Sequence, residues 1–86
     1  MKYIGNIKVS DIDLADLIGP FDMRTEPPTR NGVYVTQHYA YPITFQAYSG
    51  IFWGMYAFNS YEADESIHKP SRYQEGKWWG LKEKNL

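Results

Sequence analysis

The chain has 86 residues and a net charge of −1, with three Trp, eight Tyr, four Phe and no Cys. That is one small globular domain, 1–86, near the lower size limit for independent folding. Lack of cysteine excludes a disulfide framework and fits a reducing compartment, while near-neutral charge excludes a global field favouring nucleic acid or an anionic membrane.

No secretory leader is expected, because Asn6, Lys8 and Asp11 interrupt the apolar residues near the start. Residues 2–9 read as an edge strand or extended lead-in, with Gly5-Asn6 as a weak point. Ser10 fits an N-cap, and Asp11, Asp13 and Asp16 suit a helix start. Ile12, Leu14, Ala15, Leu17 and Ile18 complete an apolar stripe, predicting a two-turn helix over 10–18 stopped by Gly19-Pro20. So short a helix must dock on something larger. Phe21 to Arg30 is connection, stiffened by Pro27-Pro28.

Asn31 to Tyr61 contains no Asp, Glu, Lys or Arg and is rich in Val, Ile, Thr and aromatic residues. Such residues suit a pleated, half-buried surface. Asn31-Gly32 turns into a first strand over 33–39, Tyr41-Pro42 interrupts, and a second strand follows over 43–48. Ser49-Gly50 makes the hairpin turn into a third strand over 51–58. A two-residue turn groups Ile43, Phe45 and Ala47 with Phe52, Tyr56 and Phe58. A bulge at Gly50 groups them instead with Ile51, Trp53 and Met55. In both registers one face carries Thr44, Gln46 and Tyr48 beside large aromatics. Ala40 to Phe58 is uncharged, but Pro42, Thr44, Gln46, Ser49, Gly50 and Gly54 make it too polar and broken for a membrane span. Asn59 or Ser60 caps a short helix holding Glu62, Asp64 and Glu65, ending near His68-Lys69 before Pro70. The expected fold is α+β, a three-stranded antiparallel β-meander with short flanking helices.

The chemistry-bearing residues are sparse. His38 and His68 are the only imidazoles and show no metal-ligand spacing, so neither metal nor cofactor is expected. Asp11, Asp13 and Asp16 read as helix-start charges on a solvated face. No phosphate loop or nucleophile motif occurs, and the protein reads as a non-enzyme. The tail interleaves Arg72, Tyr73, Lys77, Trp78 and Trp79, a mixture that can stack on single-stranded nucleic acid or pack back onto the sheet.

Gly32-Val33-Tyr34, then Tyr48-Ser49-Gly50-Ile51-Phe52-Trp53-Gly54, then Trp78-Trp79-Gly80-Leu81 occur in a set order. Over roughly residues 28–82 this resembles a group of small uncharacterised proteins of tailed bacteriophages and prophages, which carry G-V-Y, an aromatic-x-G-x-x-W-G hairpin and a closing W-R-G-L. Trp79 stands where the group has Arg. The resemblance implies a phage or prophage accessory protein in the cytoplasm of a bacterial host, and brings no catalytic residues. Gly54 to Phe58 followed by Ser60-Tyr61-Glu62-Ala63 is also similar to the last strand and helix of integrase-type DNA-binding domains. That similarity implies DNA binding, on a sheet without Arg or Lys to meet phosphate.

The leading expectation is an accessory protein that binds another protein, such as a host defence or replication component. Its binding residues would be Thr44, Gln46, Tyr48, Trp53 and Tyr56, on a face left open to solvent. The alternative is a small nucleic-acid-binding module using the sheet face and the basic tail.

Overall fold

A computed structural model describes residues 7–38, 41–72 and 74–81. Four strands make one antiparallel sheet: β1 (Leu17–Asp22), β2 (Gly32–His38), β3 (Tyr41–Tyr48) and β4 (Lys77–Leu81), in spatial order β1-β4-β2-β3. The one α-helix described, α1 (Ser60–Glu65), is short, so the architecture is mostly β. This corrects the expected three-stranded meander. The Trp78-Trp79 segment is no tail but an inner strand, paired with β1 on one side and β2 on the other.

The expected helix over 10–18 does not form. Two 3₁₀ turns, Val9–Asp11 and Leu14–Asp16, lead directly into β1. The acids expected to favour a helix start bind local backbone donors instead. Asp11 Oδ2 accepts from Lys8 N–H at 3.0 Å, and Asp13 Oδ1 from Ala15 N–H at 3.0 Å. Such bonds offer the backbone an alternative to the helical ladder. Gly19-Pro20 lies inside β1, where the register with β4 shifts between Ile18 and Phe21. Gly19 has φ +143°, and a Cβ there would lie 2.9 Å from the Trp79 ring. The bulge flips side-chain parity, so Leu17 packs with one core cluster and Phe21 with the other.

β2 and β3 fall close to their expected positions, although Tyr41-Pro42 belongs to β3 rather than to a loop. The expected strand ends at Tyr39 and 2–6 lie outside the described residues. The segment 51–58 runs antiparallel beside β3, but only through isolated bridges, Tyr48↔Trp53 and Phe45↔Ala57. Four residues, 49–52, separate the first of these bridged pairs, longer than either turn considered from sequence. On the outer side residues 69–71 bridge the segment at Gly54↔Pro70, with Ser71 N–H donating to Trp53 O at 2.9 Å, and the Gln74 side chain adds to this edge. Gln74 Oε1 accepts from Trp53 N–H at 2.8 Å, and its Nε2 donates to Trp53 O at 2.7 Å.

Trp78 and Trp79 are each 8% exposed, on opposite faces of β4. Trp79 joins Val33, Val35, Phe45, Ala47 and Ala57, a cluster also lined by Ala63 of α1. Asn59 caps α1 as expected, its Oδ1 accepting from Glu62 N–H at 2.8 Å. Trp78 joins Met23 and Trp53, with Phe21, Tyr34 and Tyr48 packed around them.

Candidate functional site

Register decides which side chains share the second face. Phe45 exchanges both backbone bonds with Ala57, N–H to O at 2.8 and 2.9 Å, so Ala57 takes the Phe45 side. Tyr56 and Phe58, its neighbours, then take the side of Thr44 and Gln46. Thr36 pairs with Thr44, and His38 with Tyr41, across a β3 bulge. Tyr41 therefore also shares that face. The backbone thus brings Thr44, Gln46, Tyr48, Trp53 and Tyr56 to one side of the sheet, whereas each register considered from sequence places either Tyr56 or Trp53 on the opposite face.

Their accessibility differs from the expectation. Thr36, Thr44 and Gln46 are each 0% exposed, and Trp53 is buried as well. Thr44, Gln46 and Trp53 therefore cannot touch a partner in this conformation. For Thr44 and Gln46 the physical reason is that their polar groups pair with Thr36 and with the Gly54 carbonyl. Thr36 Oγ1 donates to Gln46 Oε1 at 2.8 Å and lies 2.8 Å from Thr44 Oγ1. Gln46 Nε2 donates to Gly54 O at 3.0 Å. Paired in this way, polar side chains can be buried without a large desolvation penalty. The indole Nε1 of Trp53 is buried without an acceptor among the described residues.

The five residues also divide between two clusters. At the hairpin end Tyr48, half-buried, packs on Trp53 with ring centroids 4.9 Å apart. Tyr34 and Trp78 extend this group at 5.0 Å, and Trp78 Nε1 donates to Glu26 O at 2.8 Å. Burial pushes the Tyr34 hydroxyl above its ordinary pKa, and the hydroxyl donates to Arg30 O at 2.7 Å. At the other end Tyr56 packs on Tyr41 at 5.5 Å and on Phe58 at 5.7 Å, while Tyr41 and Phe58 meet edge-on at 5.1 Å. Here Tyr41 is 39% and Phe58 45% exposed. These three mutually packed rings form an aromatic surface in the charge-free stretch, whose last residue, Tyr61, is exposed as well.

Sequence reasoning missed Tyr41 and Phe58. Tyr41-Pro42 reads as a loop, and Phe58 as the end of a regular third strand whose face depends on the turn at Gly50. The usable signal was their spacing from the Thr and Gln positions, once the β3 bulge and the irregular path after Gly54 are known. A three-ring surface of this kind offers flat aromatic contact together with the hydroxyls of Tyr41 and Tyr56. Among the described residues no three His, Cys, Asp or Glu side chains converge as metal ligands would. His68 is exposed beyond α1, whereas the side chains of His38 and Tyr73, and Lys82 and Lys84, lie outside the described residues. No helix among the described residues is long and apolar enough to cross a membrane. No protein-family model, curated protein or solved structure matches the chain.

Proposed function

We propose that this protein acts without catalysis, by binding another protein through the surface formed by Tyr41, Tyr56 and Phe58. The observation that carries this reading is the mutual packing of three partly exposed rings in a stretch without a single charge. Aromatic side chains give large contact area for little lost side-chain freedom, and rings already packed together lose less still. The surface shares Tyr56 with the expected site and moves its centre away from Thr44, Gln46 and Trp53. The bacteriophage and prophage resemblance supports an accessory protein, whose partner is then a host component of defence or replication met in the bacterial cytoplasm.

The nucleic-acid reading draws less support. Its stacking platform was to be the two tail tryptophans, and both are used in the core. Tagged protein incubated in nuclease-treated host lysate tests the proposal. A protein partner is expected to be retained by wild type and lost by Phe58→Ser. Release of the partner by nuclease, or equal retention by the variant, would overturn it.

A further inference from the structure

We propose that Asn31-Gly32 is a site of intramolecular deamidation that the fold holds in check through the pairing of Gly32 with Tyr48. Asn31 is exposed where β2 begins, and its amide lies against the Gly50 turn. A Cβ built on Gly50 would lie 3.0 Å from Asn31 Oδ1. The residue that follows is glycine, whose backbone nitrogen no side chain crowds.

The reaction needs that nitrogen. Gly32 N attacks Asn31 Cγ, the Cγ–Nδ2 bond breaks, and ammonia leaves with the Gly32 proton. Water then opens the five-membered imide at either carbonyl. Opening at one carbonyl gives Asp; opening at the other gives isoaspartate, which routes the backbone through Cγ.

The ladder opposes the first step. Ser49 N–H donates to Phe52 O at 3.2 Å and Gly54 N–H to Ala47 O at 2.8 Å. These bonds flank the Tyr48↔Trp53 bridge, so the backbone groups of Tyr48 itself point the other way, toward β2. Gly32 is the register partner of Tyr48. The pair therefore exchanges both backbone bonds, and the Gly32 N–H is held by the Tyr48 carbonyl. Attack on Asn31 requires this first rung of β2 to open. The product would place a carboxylate in a stretch that has no charge, and isoaspartate would lengthen the backbone just before that rung.

Incubation of the full chain in mildly alkaline buffer, with and without urea, tests this. Peptide mapping follows conversion of residue 31 to Asp and isoaspartate. Conversion is expected to be about tenfold or more faster in urea, since each 1.4 kcal/mol of opening free energy is about a factor of ten. Gly32→Ala is expected to slow the reaction in urea by crowding the nitrogen. The fold has room for that Cβ, which would meet only the Tyr34 ring at 3.8–3.9 Å. Gly50→Ala is expected to speed it in native buffer, because φ +93° and the contact with Asn31 strain that end of the sheet. Equal wild-type rates in buffer and urea would overturn the proposal, as would Gly32→Ala converting in urea as fast as wild type. The wild-type comparison decides the matter even if Gly50→Ala does not fold.

Discussion

Thr36 donates its single hydroxyl proton to Gln46 Oε1 over 2.8 Å, and this bond sets the direction of every other bond in the buried polar seam. With its proton committed, Thr36 Oγ1 can only accept from Thr44 Oγ1, 2.8 Å away. Thr44 is therefore the terminal donor, while Gln46 passes the chain on to the Gly54 carbonyl. A seam satisfied from end to end joins β2, β3 and the irregular segment after Gly54 at low cost.

Direction makes the two threonines unequal. Thr36→Val leaves the buried Gln46 Oε1 without its donor and should cost about 1–3 kcal/mol. Thr44→Val removes a donor shared between Thr36 Oγ1 and the Thr36 carbonyl, 3.3 Å away, and leaves only spare lone pairs behind, so it should cost roughly 1 kcal/mol or less. Urea unfolding of both variants, with unchanged slopes, measures the difference. Equal losses would mean that the seam runs the other way.

The two adjacent tryptophans of β4 anchor opposite faces of the sheet, so neither should be dispensable. Each substituted to Ala should lose about 3–5 kcal/mol. For a domain of this size that is a fall of several degrees in Tm per kcal/mol, roughly 4–8 °C. Trp78→Ala also leaves the Glu26 carbonyl without its indole donor. An unmoved melting temperature in either variant would contradict the inner-strand position.

What the sequence made legible was local. Alternation of Val33 and Val35, and of Phe45 and Ala47, marks β2 and β3 and their buried face, and Asn59 announces α1. Three features depended on partners far along the chain. The expected 10–18 helix lost to 3₁₀ turns, because Asp11 and Asp13 bond neighbouring amides and Leu17 pairs with residue 81. Trp78-Trp79 became an inner strand because β1 supplies a second edge that nothing in the local pattern advertises. Thr44 and Gln46 looked like a wet surface because polarity alone does not show whether a partner is another protein or the next strand. For the site, the alternation of Thr44, Gln46 and Tyr48 was legible, but neither their burial nor the irregular path that brings Trp53 and Tyr56 to the same face was.

Asp22 ends β1 and holds the turn after it. Its Oδ1 accepts from Arg24 N–H at 2.8 Å and Thr25 N–H at 3.2 Å. These two backbone donors hold its carboxyl below the ordinary pKa. A depressed folded-state pKa contributes stability above the unfolded value of about 3.9, and loses it as pH falls through the lower folded value. Asp22→Ala should therefore be less stable than wild type at neutral pH, with the gap closing in acid below the carboxylate range. A gap that persists undiminished there would assign the effect to the turn's backbone rather than to the carboxylate.

Salt dependence separates the two binding readings most directly. The aromatic surface lies in a stretch with no ionisable acid or base except Tyr and His, so its affinity for a protein partner should change little between about 50 and 500 mM salt. Nucleic-acid binding would instead weaken by roughly one power of salt concentration for each phosphate neutralised. The same titration should be run on Phe58→Ser and on Ile51→Ser. Phe58 belongs to the three-ring surface, whereas Ile51 is 84% exposed at the hairpin tip, away from the Tyr41 and Tyr56 rings. Phe58→Ser should weaken binding by about tenfold or more if the ring acts as an anchor, equivalent to about 1.4 kcal/mol. Ile51→Ser should leave binding within about twofold, a difference worth under 0.5 kcal/mol. The reverse order, with both variants still folded, would move the working surface from the three rings to the hairpin tip.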